Sequence, residues 1–217
     1  MSTSRVYSFA AHCGLVFTRW LAPDNCAACD APVEVGGSFC ESCGECPAPP
    51  QEARLSGHSV AGAYLPPLST AILRFKFSQR ADLARPLARL LPWPFDVGSE
   101  LPCVVPVPLH RTRLVERGFN PAGLLAKELS RRVGATYSPR LLQRLRNTPQ
   151  QARLSVEARR TNVAGAFAVR VRTLPKQIVL VDDVVTTGST VEACCQALYS
   201  AGVVHVSVVA LAAPAAP

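Results

Sequence analysis

The sequence lacks an apolar run long enough to cross a membrane, which takes about 18 residues or more. The N-terminal apolar segment from Cys13 to Trp20 is too short for a span, and Arg19 interrupts it. We therefore expect no membrane insertion and no signal peptide, and we predict a cytoplasmic protein.

The sequence is also poor in aromatic side chains, with two Trp, four Tyr and eight Phe among 217 residues. The basic segments lack interleaved aromatic residues, although proteins that bind single-stranded nucleic acid commonly stack bases on such side chains. This scarcity argues against direct DNA binding.

A polybasic tail is absent as well, although the net charge is +8. The excess comes mainly from arginines in residues 111–117, 131–132, 140–160 and 170–172. This charge favours an anionic partner, for which a pyrophosphorylated sugar and a nucleic acid both qualify. An apolar content of 48% is ample for the core of one α/β domain with a small appendage.

Cysteines form a pattern near the N-terminus. Two Cys-x₂-Cys pairs lie ten residues apart, and each pair turns two thiolates toward one centre, which predicts a tetrahedral structural Zn²⁺ site. The predicted ligands are Cys26, Cys29, Cys40 and Cys43. Cys46 is an alternative ligand, because Cys43 and Cys46 also have this spacing. A disulfide framework is less favoured, since the predicted compartment keeps thiols reduced.

Proline and glycine divide the chain into two predicted domains. Residues 47–58, with Pro47, Pro49, Pro50 and Gly57, have the composition of a linker. Residues 1–58 then comprise an N-terminal helix, the zinc ribbon and the linker, and residues 59–217 form the larger domain.

The segment from Ile178 to Thr190 is the centre of the larger domain. Its apolar run Ile178–Val181 does not alternate with polar residues, as is typical of a strand buried on both faces of a parallel sheet. Apolar residues then recur at helical spacing from Val191 to Leu198, and Gly202 is a natural helix terminator. The following segment, Val203–Leu211, is again typical of a strand. This β-loop-α-β pattern predicts an α/β fold with a parallel sheet and flanking helices.

The residues after this strand are suited to a phosphorylated sugar. Asp182 and Asp183 follow the apolar run, and ligands of open α/β sheets bind outside the carboxyl ends of the strands. The carboxylates can accept hydrogen bonds from sugar hydroxyls or engage Mg²⁺. A turn of small residues that opens a helix can bind a phosphate through its amides and hydroxyls. The turn comprises Thr186, Thr187, Gly188, Ser189 and Thr190. In an alternative interpretation, the acids only cap the following helix.

A second predicted strand, Leu101–Pro108, ends in a basic loop. Its closing prolines cannot donate ladder hydrogen bonds. The loop contains His110, Arg111, Arg113 and Arg117. One guanidinium group can donate two hydrogen bonds to the oxygens of a phosphate group. Lys76, at the end of a predicted helix, is either a further ligand-binding residue or a surface residue.

Residues 144–162 are polar, rich in arginine and longer than an ordinary connection. We interpret this segment as a lid over a ligand, with a DNA-binding arm as the alternative.

The segment around Asp182 resembles the phosphoribosyl pyrophosphate (PRPP) signature of type I phosphoribosyltransferases. Further motifs narrow the resemblance to the competence protein F (ComF) family, in which a Cys₄ ribbon precedes a phosphoribosyltransferase-like domain. Pro121 departs from that pattern, since the family usually has Gln there. The motifs are the Cys pairs, Leu73–Phe77, Val105–His110, Arg117–Asn120, Thr148-x-x-Gln151, Arg160-x-Asn162-Val163-x-Gly165-x-Phe167 and Val181–Gly188.

The resemblance implies a protein that binds Mg²⁺–PRPP and transfers its phosphoribosyl group to an unknown nucleophilic acceptor. Asp182, Asp183, Arg113 and Arg117 would be the catalytic residues. The turn Thr186–Thr190 would bind the 5′-phosphate, with His110, Arg111 and Lys76 among the ligand-binding groups. The family name also implies a role in DNA uptake. The competing hypothesis is a non-catalytic scaffold that contacts single-stranded DNA or other competence proteins.

Overall fold

The structure is a computed structural model that describes residues 24–51, 53, 58–95, 101–146, 165–170 and 173–215. The predicted N-terminal helix before residue 24 lies outside these residues. So do residues 147–162 of the predicted lid. Within the described part, no helix is both long enough and apolar enough to cross a membrane.

The larger domain alternates strands and helices. The strands are β1 (His58–Ala63), β2 (Cys103–Pro106), β3 (Leu142–Arg144), β4 (Phe167–Val169), β5 (Gln177–Val184) and β6 (His205–Ala213). The helices are α1 (Leu68–Phe77), α2 (Ala84–Leu90), α3 (Arg111–Arg117), α4 (Pro121–Val133) and α5 (Ser189–Ser200).

Four of the strands form a parallel sheet in the order β1-β6-β5-β2. β5 lies between two neighbours, with Val181 opposite Val209 of β6 and Leu180 opposite Val105 of β2. Strands β3 and β4 form a separate antiparallel pair. The predicted α/β class, with a parallel sheet, flanking helices and a preceding Cys₄ module, is confirmed.

Both faces of the sheet are covered, which explains the unbroken apolar run of β5. Val179 and Val181 pack with helices α1, α2 and α4 on one face. Ile178 and Leu180 pack with α5 and with the β3–β4 pair on the other face. A strand without a solvent face has no position at which a polar residue is favoured.

Helix α3 corrects the sequence prediction of a basic loop after β2. Its first turn is capped by His110, whose ring Nδ1 accepts a hydrogen bond from the N–H of Thr112 at 3.3 Å. Gly118 ends the helix with φ 80°, a left-handed conformation that glycine adopts at low cost. Helix α3 buries no residue, so no apolar periodicity marked it as a helix.

Pro121, the departure from the family pattern, is the first residue of α4. Proline suits that position because its fixed φ matches the helix and the missing N–H has no partner there. The preceding Asn120 donates from Nδ2 to the carbonyl of Val107 at 3.0 Å, which ties the start of α4 to the end of β2.

The cysteine module, residues 24–46, packs against α1 and α2. Ala27 is fully buried in the core on that face of the sheet, and its carbonyl accepts a hydrogen bond from Arg74 of α1 at 3.1 Å. Asp30 forms ion pairs with both Arg74 and Arg80. The predicted division between residues 58 and 59 stays a prediction, and β1 begins at His58.

Candidate ligand cleft and cysteine cluster

A cleft of about 450 Å³ lies at the carboxyl ends of β2 and β5. It opens where the sheet edge meets the N-terminus of α5, the place where open α/β sheets bind ligands. Its lining brings together segments that are more than 100 residues apart in sequence, from Tyr64 to Pro214.

Two acids form one wall of the cleft. Asp182 and Asp183 lie within β5, well before α5 begins at Ser189, so they are not the caps of that helix. The N–H of Asp183 donates to Oδ1 of Asp182 at 2.8 Å. Lys76 Nζ lies 2.8 Å from Oδ1 of Asp183, and both side chains are mostly buried, at 18% and 13% exposure.

The two acids differ in their electrostatics. Burial raises the pKa of Asp182 to about 7, and the neighbouring Asp183 carboxylate acts in the same direction. The N–H of Asp183 and the cations Lys76 and Arg144 oppose this rise without cancelling it. Without a ligand, the carboxyl of Asp182 is therefore only partly ionised near neutral pH, and a bound cation or hydroxyl donor would stabilise its ionised form.

The turn Thr186–Thr190 forms the floor beside the acids. Gly188 is the N-cap of α5 with φ 77°, and no side chain caps the helix. The Thr187 and Ser189 hydroxyls lie 3.0 Å apart. The first amides of a helix have no intrahelical acceptor, and the helix dipole adds partial positive charge there. The turn can therefore bind an anion.

Basic side chains also line the cleft, namely His110, Arg113 and Arg117. Because Arg113 and Arg117 are four residues apart on α3, they share one face of the helix. Arg111 starts the same helix, is exposed and does not line the cleft.

Arg144 also lines the cleft, although the sequence reasoning did not single it out. It ends β3, and its guanidinium carbon lies 5.6 Å from the centre of the Phe167 ring. Burial lowers its pKa, and the charge of Asp182 opposes this change. The sequence pattern of residues 144–162 predicted a lid as a whole, and no local pattern distinguishes Arg144 from the neighbouring arginines.

Four cysteines form a separate cluster in the N-terminal module. The Sγ atoms of Cys26, Cys29, Cys40 and Cys43 all lie within 4.8 Å of one another, with Cys29 and Cys40 at 3.5 Å. Four thiolates around one Zn²⁺ at about 2.3 Å have nearly this separation. The cluster can hold one metal ion with no open coordination position, as in a structural zinc site.

Backbone amides around Cys26 support a thiolate. Burial acts to raise its pKa, but N–H groups of Cys40, Ala28 and Cys29 outweigh burial and lower the pKa to about 6. Metal-bound thiolates need such donors, because the ligand must be deprotonated.

Cys46 lies apart from this cluster. Its Sγ is 3.9 Å from the carbonyl oxygens of Pro47 and Ala61, beside β1. The position of Cys46 favours the first ligand set over the alternative that includes it.

These observations define a class of protein: a four-cysteine module packed on a parallel α/β domain, with a cleft at the strand ends that is lined by acids, cations and the start of a helix. No protein-family model matches the chain. Curated relatives do match it. The DNA utilization protein YhgH of Escherichia coli O157:H7 is 38% identical over 173 residues, 76% of this chain and 75% of that protein.

The same protein from Salmonella typhimurium has equal identity and coverage. Competence protein F of Haemophilus influenzae is 36% identical over 183 residues, 80% of this chain and 79% of that protein. The chain therefore belongs to the ComF family, which confirms the resemblance inferred from the motifs.

Proposed function

We propose that the chain binds PRPP in the strand-end cleft and serves DNA uptake as a phosphoribosyltransferase-like member of the ComF family. The observation that carries this proposal is the position of three groups around one cleft. These are the acids of β5, the turn Thr186–Thr190 and the cations on α1, α3 and β3.

Each group suits one part of PRPP. The first amides of α5 and the hydroxyls of Thr187 and Ser189 are donors for the 5′-phosphate. Asp182 and Asp183 are acceptors for the two ribose hydroxyls. Arg113, Arg117 and His110 line the same cleft, where they can neutralise a pyrophosphate. Arg111 does not line the cleft, so this contact does not include it.

Mg²⁺ fits the donor set, because it prefers carboxylate and phosphate oxygens. When bound, it would supply positive charge to the pyrophosphate. Lys76 already neutralises Asp183 in this structure, so Asp182 is the acid that gains more from a cation.

For transfer, the acids would orient the ribose, and the arginines would stabilise the negative charge that develops on the departing pyrophosphate. The predicted lid at 144–162 would exclude water. Structural Zn²⁺ on Cys26, Cys29, Cys40 and Cys43 is part of the proposal. The proposed location is the cytoplasm, a compartment in which such thiols stay reduced.

The role in DNA uptake rests on the relatives, whose names refer to competence and to DNA utilization. Those names mention no transfer reaction. They therefore favour a second candidate, in which the cleft senses a ligand without turnover and the protein acts as a scaffold for DNA or for competence proteins.

Isothermal titration with PRPP, with and without Mg²⁺, tests the cleft. We expect replacement of both acids by Asn to weaken Mg²⁺-dependent binding at least tenfold, since each hydrogen bond to a charged group contributes about 1.5–3 kcal/mol. Glu128→Gln on α4, which removes a carboxylate outside the cleft, is the control.

Equal PRPP affinity in the double variant and in the control would reject the proposed site. Titration with single-stranded DNA separates the second candidate. DNA binding that weakens steeply with salt, in a protein that ignores PRPP, would favour the scaffold.

A further inference from the structure

A histidine and an acid lie directly behind the turn Thr186–Thr190. Gly188 is the N-cap of α5, and a Cβ added to it would lie 3.5 Å from His58 Cε1 and 3.7 Å from Glu192 Oε1. Both side chains are therefore within van der Waals reach of one point on the turn. Neither of them lines the cleft. The turn thus has one side towards the ligand cleft and a second side that two ionisable groups occupy.

The sheet holds His58 in this position. His58 is the first residue of β1 and lies opposite Val208 of β6, whose buried side chain belongs to the core under α5. Because paired residues of neighbouring strands project to the same face, the imidazole lies on the α5 side of the sheet. His205 of β6 is on the other face, where its ring contacts that of Phe95.

Glu192 lies in the first turn of α5 and is exposed. In the ligand-free protein an acid at this position is favourable, because it interacts with the partial positive charge of the helix N-terminus. The same carboxylate becomes unfavourable when a phosphate binds the turn, since two like charges then share one helix end. A cation beside Glu192 would remove this conflict, and His58 is the side chain placed to supply it.

The charge of His58 depends on the groups packed around it. Burial lowers the pKa of its imidazole, and the charge of Glu192 opposes this change. Cys195 on α5 also lies near Glu192, but burial raises the pKa of its thiol to about 11, so the thiol is neutral. Val208 of β6 and Ala53, which precedes β1, pack in the same core and carry no charge. Among the residues that the structure describes, His58 and Glu192 form the titratable pair behind the turn.

We propose that His58 is a positioning residue of the phosphate turn, which takes up a proton when a phosphate dianion binds there and so balances the charge of Glu192. This inference rests on the proposed function. A neutral imidazole would leave the dianion beside an uncompensated carboxylate. Because linkage is reciprocal, binding that favours the protonated ring is itself favoured by a lower pH. The ligand class is a phosphate monoester, and the effect falls between about pH 6 and pH 8, where imidazole titrates.

Ribose 5-phosphate is the probe, because it carries the phosphate group without the pyrophosphate, and a sugar phosphate is mostly a dianion above about pH 6. Titration calorimetry of the full-length protein at about pH 6.5 and about pH 8 gives the ratio of the two affinities. We expect this ratio to be about fivefold larger in the wild-type protein than in a variant without the pair. That value is at the low end of usual coupling, because Glu192 is exposed and salt screens its charge.

Two variants with opposite expected signs assign the effect. Since His58→Asn cannot take up the proton, it should bind ribose 5-phosphate more weakly than the wild type at the lower pH. Glu192→Gln removes the like charge, so it should bind about fivefold more tightly at the higher pH. His205→Asn, on the opposite face of the sheet, is the matched control and should keep the wild-type ratio. Asp182 and the other ionisable groups of the cleft are the same in all these proteins, so a changed ratio reports the pair.

The outcomes separate the two levels of the proposal. If ribose 5-phosphate and PRPP both fail to bind the wild-type protein at either pH, the proposed function and this inference are rejected together. If they bind but Glu192→Gln keeps the wild-type ratio, or binds more weakly at the higher pH, only the role of the pair is rejected.

Nuclear magnetic resonance of the histidine ring protons provides a second measurement, which needs no replacement of His58. In the wild-type protein, ribose 5-phosphate should move the titration of the His58 ring to a higher pH, while the titration of His205 stays in place. A His58 titration that the ligand leaves unchanged would overturn the proposal, even if His58→Asn does not fold.

Discussion

At the scale of single residues, Asp182 shows a conflict between stability and ligand binding. Its carboxyl is half-buried beside a second carboxylate, and its pKa is raised to about 7. A group whose pKa is raised on folding contributes stability below its unfolded pKa, here about 3.8, and that contribution is lost as the pH rises through about 7. Above neutral pH the ionised group therefore destabilises the ligand-free protein.

We predict that Asp182→Asn raises the melting temperature of the ligand-free protein above pH 7, and that this gain shrinks as the pH falls toward 4. The rise of the pKa from about 3.8 to about 7 limits the gain in stability to about 4 kcal/mol. Because the cleft is open to water, about 1 kcal/mol is the expected gain. Thermal melts of the wild-type and variant proteins from pH 4 to pH 8 measure it.

Asp183→Asn is the comparison, with the opposite expected sign. It removes the ion-pair partner of Lys76, whose side chain is only 18% exposed, and so leaves a cation without its carboxylate. A loss of stability in Asp182→Asn above pH 7 would show that the ionised carboxylate of Asp182 does not destabilise the ligand-free protein.

At the scale of elements, α1 connects the cysteine module to the cleft. Arg74 on this helix contacts Ala27 and Asp30 of the module, and Lys76, two residues later, contacts Asp183 of the cleft. Asp30 also pairs with Arg80, which follows the helix. Asp30 has φ 67°, a left-handed conformation that Asn tolerates better than Ala.

We predict that Asp30→Asn, in the metal-loaded protein, loosens the docking of the module on α1. The pairs are partly exposed, so the expected loss of stability is about 1 kcal/mol. Hydrogen exchange should become faster at the amide of Ala27, which donates to Ser38, and at other amides of the module.

Asp82→Asn provides the matched control. Asp82 pairs with Arg80 outside the module, and its side chain is 60% exposed. Equal exchange rates in the Asp30 and Asp82 variants would mean that the ion pairs of Asp30 do not hold the module in place.

At the scale of the whole molecule, the module has little core of its own. Its buried residues are few, and among residues 24–46 they are Cys26, Ala27 and Ser38. We expect a segment with so little buried apolar surface to need the free energy of metal binding to fold.

We predict one Zn²⁺ per chain, lost in Cys43→Ser and retained in Cys46→Ser, as measured by metal analysis of the purified variants. Chelation should expose the amides of the module while those of β5 and β6 stay protected, because these strands pair within the sheet. Retained zinc in Cys43→Ser together with its loss in Cys46→Ser would transfer the fourth ligand to Cys46.

Local patterns in the sequence were sufficient for the α/β class, the buried strand β5 with its two acids, the turn that opens α5 and the two cysteine pairs. Each of these depends on a few consecutive residues, whose apolar periodicity or ligand spacing reflects the structure directly. Local pattern also predicted the helices α1, α2, α4 and α5, which have an apolar face.

Only the tertiary structure decided which distant residues meet. It formed α3 from a segment with no buried face and brought Arg144 from β3 into the cleft. It paired Lys76 with Asp183, left Arg111 outside the lining, separated Cys46 from the other cysteines and placed His58 beside Gly188. These outcomes depend on the packing of helices and hairpins from different parts of the chain around one sheet edge. Side chains brought together in this way have no common sequence period, and so no local pattern predicts their contact.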